Sequence, residues 1–139
     1  MPVVEDVMTK GIISIKEGVT VDEAIRIMTE RHVSSLIVEK VSNADVDGII
    51  TRKDVTNKVI GHGKDPRNVL VSEVMTKPLM TVTRKMDIMQ VARLMARADV
   101  RRFPVREGDQ LIGIVSNSDI FRAYSLDNVI PKKVKAKTK

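Results

Sequence analysis

The chain has 139 residues, 42% of them hydrophobic and 30% charged, the proportions of one globular domain or of two small halves at ~100–200 residues per domain. It contains no cysteine and no tryptophan, which excludes disulfides, a thiolate nucleophile and a cysteine zinc site. Its 24 Lys and Arg against 18 Asp and Glu give a net charge of +6, a balance that invites a nucleic-acid reading. The excess is local, because residues 131–139 hold five lysines and no acid, and without them the counts are 19 and 18. Phe103, Phe121 and Tyr124 are the only aromatics, too few for a platform that stacks single-stranded bases.

From its start, the chain lacks the basic and then apolar regions of a secretory signal. No apolar run approaches the ~20 residues of a membrane span, so a soluble, cytoplasmic protein is expected. Residues Val4, Val7 and Met8-Thr9-Lys10 return at Val71, Val74 and Met75-Thr76-Lys77, an offset of 67. The same offset pairs Arg26 with Arg93, Met28 with Met95 and Val38 with Val105. After a two-residue deletion in a polar turn, Gly48-Ile-Ile-Thr51 aligns with Gly113-Ile-Val-Ser116, and Asp54 with Asp119. The chain is therefore a tandem duplication: repeat one over residues 1–60, a polar linker over 61–70, repeat two over 71–126, and a basic tail over 127–139. The tail reads as a disordered, solvated end.

Each repeat has the same order of elements. Gly11–Ile15 and Leu79–Val82 are apolar runs that predict strands. Thr20-Val-Asp-Glu23 and Asp87-Ile-Met-Gln90 read as capping boxes. Helices then follow, with apolar residues at Val21, Ala24, Ile25 and Met28, and at Ile88, Val91, Ala92 and Met95, one face of a 3.6-residue period. Two strands come next in each repeat, Ser35–Val38 and Gly48–Ile50, then Phe103–Val105 and Leu111–Val115. A second helix begins at Thr51 and at Ser116. The predicted fold class is α/β (α+β), two β-α-β-β-α repeats packed with pseudo-two-fold symmetry, since one ~60-residue unit has a marginal core.

These residues resemble a known family. Val7-Met8-Thr9 and Val74-Met75-Thr76 open units similar to cystathionine-β-synthase (CBS) repeats, and Gly48-Ile-Ile-Thr51-Arg-Lys-Asp54 and Gly113-Ile-Val-Ser116-Asn-Ser-Asp119 close them. The pair resembles a stand-alone Bateman module. Phe103-Pro104-Val105 matches the usual strand of the second copy, while Ile37 stands where the family often has proline, which weakens one base-side contact in the first site.

The closing motif has a physical logic of its own. A Thr or Ser at a strand-to-helix junction sits beside unpaired backbone amides and the positive end of the helix dipole, which attract an anion. An Asp three residues later offers two acceptors that match the vicinal hydroxyls of a ribose. The same spacing is equally a helix cap that needs no ligand. The resemblance implies the first alternative: Asp54 and Asp119 on ribose, Thr51 and Ser116 near phosphate. It also implies adenine contacts from Ile12, Ile13, Ser14, Ser35 and Leu36 in one repeat. In the other they come from Leu79, Met80, Thr81, Phe103 and Pro104, with Phe103 equally readable as core. Arg52, Lys53, Arg101 and Arg102 are candidates for a polyphosphate, or else a solvated charged face. Arg102 and Pro104 replace Ser35 and Ile37, so the second site is expected to be the better one for a phosphorylated ligand.

His32 and His62 have no cysteine or carboxylate at ligand spacing, so no metal site is expected. Neither a Walker loop nor G-x-G-x-x-G is present, and Ser34-Ser35 beside His32 lacks an acyl-transfer signature. The methionines read as core filler. The sequence thus predicts a regulatory sensor rather than an enzyme. The resemblance implies AMP, ADP, ATP or S-adenosylmethionine as ligand, bound in a cleft between the repeats, a homodimer formed through amphipathic helices, and an effector protein as partner. Two alternatives are a nucleic-acid accessory protein using the lysine tail and a purely structural dimerisation module.

Overall fold

A computed structural model describes residues 2–125; the basic tail of the sequence reading lies outside them. In chain order the elements are α1 (Val4–Val7), β1 (Thr9–Lys10), β2 (Ser14–Lys16), α2 (Val21–Arg31), β3 (Ser35–Glu39), β4 (Gly48–Thr51) and α3 (Arg52–Lys58). There follow β5 (Val82–Thr83), α4 (Ile88–Ala98), β6 (Arg102–Glu107), β7 (Gln110–Ser116) and α5 (Asn117–Ser125). Short 3₁₀ turns occupy the linker and the second opening segment, at Ile60–His62, Pro66–Asn68 and Val71–Glu73. The fold is mixed α+β, and β-α-β-β-α occurs twice.

The compact units are offset from the sequence repeats. One unit is Ile12–Leu79; the other joins residues 2–11 to residues 80–125. Each opening segment therefore completes the other repeat's fold. In the contiguous unit the sheet order is β2-β3-β4, with β2 and β3 parallel and β3 and β4 antiparallel. Thr76, from the second opening segment, bridges Ile49 on its edge. In the discontinuous unit the order is β1-β7-β6-β5, and Thr9 takes the corresponding place against Ile114.

Two cores result. Val21, Ala24 and Met28 of α2 pack with Leu36, Val38, Ile50, Val55 and the linker-side Val71. Ile88, Val91 and Met95 of α4 pack with Phe103, Val105, Val115, Ile120 and Val4. Val4 and Val71 are equivalent by repeat, and each is fully buried in the other repeat's core. The helical periodicity places these side chains correctly, whereas the strand starts differ. Gly11–Ile13 and Leu79–Thr81 are loop rather than strand, because in-register pairing with the neighbouring strands begins at Ser14 and Val82. The caps are also simpler than expected. Thr20 accepts from the Glu23 amide, but the Glu23 carboxylate turns to Arg26. Asp87 accepts from Met89 one residue earlier than a box requires.

The first opening segment is tied down by charge as well as by Val4. Glu5 accepts from Arg84 at 2.8 Å and from Lys85 at 2.6 Å, and these two hydrogen bonds, Lys85 first, hold its carboxyl below the usual range. A depressed folded-state pKa adds stability above the unfolded value of ~4.3 and loses it as pH falls through the folded one. Acidification through and below pH ~4 should therefore loosen residues 2–11 through this group. Glu5→Gln should remove that portion of the pH dependence, read as amide-exchange protection of Glu5 and Gly11. An unchanged pH profile in Glu5→Gln would contradict the assignment.

Candidate functional site

The two Ser/Thr-x-x-Asp motifs lie at the same end of their respective sheets, where a strand passes directly into a helix. In the contiguous unit Thr51 ends β4, pairs in register with Ser35 and caps α3. The Asp54 carboxylate Oδ2 accepts from the Thr51 amide at 2.9 Å and from its hydroxyl at 3.0 Å, and the Asp54 amide donates to Thr51 Oγ1 at 3.1 Å. Lys58 Nζ stands 3.1 Å from the other oxygen, Oδ1. In the discontinuous unit Ser116 pairs with Arg102. Asp119 Oδ2 accepts from the Ser116 amide at 2.8 Å, and the Asp119 amide donates to Ser116 Oγ at 3.1 Å. Arg122 donates to Oδ1 at 3.3 Å. Asp119 is only 8% exposed.

Each carboxylate thus splits its work. One oxygen closes the helix cap, and the other faces a cation one turn along the helix. Lys58 and Arg122 were not among the residues singled out from sequence, although their i+4 and i+3 spacing from the aspartates was the available signal.

The helix starts differ from expectation in one respect. The first helical amide is already taken in both units: Arg52 donates to the Ser34 carbonyl at 2.9 Å, and Asn117 to the Arg101 carbonyl at 2.8 Å. With the cap amide and the Asp amide also paired, few donors remain for an anion. The expected open cluster of amides is corrected to a closed cap. The positive side chains at the two junctions are exposed Arg52 and Lys53, and exposed Arg101 with half-buried Arg102.

The base-side candidates separate into two kinds. Ile12 and Ile13 are half-buried and Ser14 is exposed, all beside the start of β3. Met80 is exposed and Thr81 half-buried, and Thr81 Oγ1 accepts from Arg106 Nε at 3.2 Å. Leu36 and Phe103, by contrast, are core side chains, 1% and 2% exposed. Leu79 falls in the contiguous unit, where its amide donates to the Asp47 carbonyl at 2.9 Å, so it is not grouped with Met80 and Thr81. The substitution of Ile37 by Pro104 has a local consequence. Ile37 donates its amide to the Ile13 carbonyl at 2.9 Å; Pro104 has no N–H to give the equivalent Met80 carbonyl. The two sites therefore differ in an acceptor as well as in Ser35 against Arg102.

Of the remaining candidates, His32 is an exposed left-handed cap of α2, with φ 54°, and His62 Nδ1 lies 2.9 Å from the Asn57 carbonyl. Among the described residues no three His, Asp or Glu side chains gather as a ligand set, and no helix is long and apolar enough to cross a membrane.

The arrangement agrees with known proteins. The CBS domain family model matches residues 4–61 and 71–126. An uncharacterized protein of Methanopyrus kandleri is 31% identical over 120 residues, 86% of this chain and 61% of that protein. The CBS domain-containing protein YhcV of Bacillus subtilis is 29% identical over 120 residues, 86% of this chain and 84% of its own length. The hexameric CBS-CP12 protein from bloom-forming cyanobacteria superposes with a TM-score of 0.85 at 33% identity, over 99% of this chain and 80% of that one. The chain spans about three fifths of the Methanopyrus protein. With both halves matched by one family model on a shared fold, the chain belongs to the CBS domain family and carries two CBS domains in tandem.

Proposed function

We propose that the chain is a regulatory module that binds an adenosine-based ligand, AMP, ADP, ATP or S-adenosylmethionine, and works as a homodimer on an effector protein without catalysing a reaction itself. The observation that carries this reading is the duplicated Ser/Thr-x-x-Asp junction, in a chain of the CBS family, with each aspartate leaving one oxygen to a basic side chain one turn along the helix rather than to the cap. A ribose diol competes with the side chain of Lys58 or Arg122 for that oxygen. Ligand binding then favours one state of the module, and the effector reads that state.

The discontinuous unit is the stronger candidate. Pro104 frees the Met80 carbonyl to accept from an adenine amino group, and Arg101 and Arg102 supply charge for phosphate. Calorimetric titration with AMP and with ATP tests the ranking. Asp119→Asn keeps an acceptor for the Ser116 amide yet removes the charge, and should weaken the tighter binding event ~10–100-fold; Asp54→Asn should affect only the weaker event. Equal losses from both variants would remove the ranking.

A structural module is the competing reading, favoured by the completeness of the caps. A ligand that binds the native state must raise the melting temperature. No shift with any adenine nucleotide or S-adenosylmethionine at millimolar concentration would decide for that alternative.

A further inference from the structure

The Lys58 ammonium serves two acceptors in the contiguous unit. Its Nζ stands 3.1 Å from the outer oxygen of Asp54, Oδ1, and donates to the main-chain carbonyl of Val74 at 2.9 Å. Asp54 belongs to the closing motif of the first repeat, and Val74 to the opening segment of the second. An ammonium carries three donors, so one side chain holds both groups. The long lysine stem loses its rotamer freedom once for the two contacts, so each makes the other easier to form.

Val74 sits at a junction. It follows the 3₁₀ turn Val71–Glu73 and is 6% exposed. The next amide, of Met75, donates to the Val71 carbonyl at 2.9 Å. Thr76 then exchanges two main-chain hydrogen bonds with Ile49, at 2.8 and 2.9 Å. Beyond Leu79 the chain passes into the discontinuous unit, at the base-side candidates Met80 and Thr81. Lys58 thus ties the aspartate of one motif to the head of the stretch that leads to the other unit.

The second repeat lacks this tie. In the alignment that pairs Asp54 with Asp119, Lys58 falls opposite Ala123 and Arg122 opposite Asn57. Asp119 has a cation beside its outer oxygen, but Ala123 offers no donor at the place from which Lys58 reaches Val74.

We infer that Lys58 is a coupling residue, which transmits the state of the Asp54 outer oxygen to residues 74–77, in the contiguous unit alone. A hydroxyl that donates to Oδ1 competes with Lys58 for it, weakens the hold of Asp54 on the ammonium and loosens the Val74 bond. Under the proposed function that hydroxyl is the ribose diol, and this part of the inference rests on that reading.

Amide exchange of the full chain, followed by nuclear magnetic resonance, tests the coupling without ligand. Lys58→Met should speed exchange at Met75 and Thr76 ~10-fold relative to Val38, the scale of a hydrogen bond from a charged donor. Lys58→Arg, which keeps the charge, should retain part of the protection. Asp54→Asn should speed exchange ~3-fold at the same amides in the wild type and cause no change in Lys58→Met. A lysine with a merely structural role would leave the effect of Asp54→Asn the same in both backgrounds. Asp119→Asn should leave Met8, the counterpart of Met75, unchanged. AMP at concentrations that saturate its binding should raise the Met75-to-Val38 ratio in the wild type and leave it unchanged in Lys58→Met, where calorimetry still shows AMP bound. Equal effects of Asp54→Asn with and without Lys58, an equal change at Met8 in Asp119→Asn, or an AMP-bound wild type whose ratio stays still would each overturn the inference. A wild type that binds no AMP but shows the Lys58-dependent effect of Asp54→Asn keeps the coupling and refutes the adenosine reading.

Discussion

Gly113→Ala is expected to lower the free energy of unfolding by on the order of 3 kcal/mol, the upper end of overpacking costs. A Cβ at Gly113 would stand 2.4 Å from the Thr9 carbonyl oxygen and 3.2 Å from Met8 Sδ. The first contact is with backbone of an edge strand, which cannot yield as a flexible side chain does. The added methyl therefore pushes β1 off β7, and the bond from the Gly11 amide to the Ile112 carbonyl, 2.9 Å, goes with it. Gly48→Ala meets the Thr76 carbonyl at 2.8 Å, so it should be harmful in the same way but less so, by about 1–2 kcal/mol. Gly18, with nothing within 4 Å of an added Cβ, is the control. Urea unfolding of the three variants should rank them Gly113, Gly48, Gly18; a Gly113 variant as stable as the Gly18 one contradicts the packing argument.

Deleting residues 2–11 should unfold one CBS domain and spare the other, although the deleted residues belong to the first repeat by sequence. The segment fills the core of the discontinuous unit with fully buried Val4. It donates from Val4 to the Met86 carbonyl at 2.8 Å and from Glu5 to the Arg84 carbonyl at 3.0 Å. It also supplies the edge strand β1 and the carboxylate that Arg84 and Lys85 hold. A unit of this size is marginal even when complete, so the loss of a valine worth ~1.5–3 kcal/mol together with an edge strand should exceed its margin. Hydrogen exchange should show protection lost at Val91, Val105 and Val115 and retained at Met28, Val38 and Ile50. Loss in the opposite set, or equal loss in both, would show that the opening segment stabilises its own repeat.

The legible parts of this fold were those written in local periodicity. Val21, Ala24 and Met28, and Ile88, Val91 and Met95, were placed by spacing and are buried. The strand-to-helix junctions at Thr51 and Ser116 were placed by motif, and their capping bonds are present. The exchange of opening segments was not legible, because Val4 and Val71 fit either core equally well and periodicity is silent on which of two similar partners a segment meets. Charge was a weak pointer: Glu5 meets Arg84 and Lys85, where the first repeat has Glu17 and Gly18. Gly48 and Gly113 of the closing motifs leave room for the other repeat's opening segment, whose Thr76 and Thr9 carbonyls approach them closely. The closure of the helix amides was hidden for a different reason. Ser34 and Arg101 act through main-chain carbonyls, and a carbonyl leaves no trace in residue type.

The path of the chain also sets an order of assembly. Everything the contiguous unit needs lies within Ile12–Leu79, so it can close as soon as that stretch leaves the ribosome. The other unit joins Glu5 to Arg84 across 79 residues, and its last strand and helix are the last described elements to be made. Closing a loop of that length costs entropy before any contact rewards it, and a folded insert between its ends shortens the distance to be searched. One domain can thus close before the other's last described elements are made, and residues 2–11 meet their core only once residues 80–125 have followed.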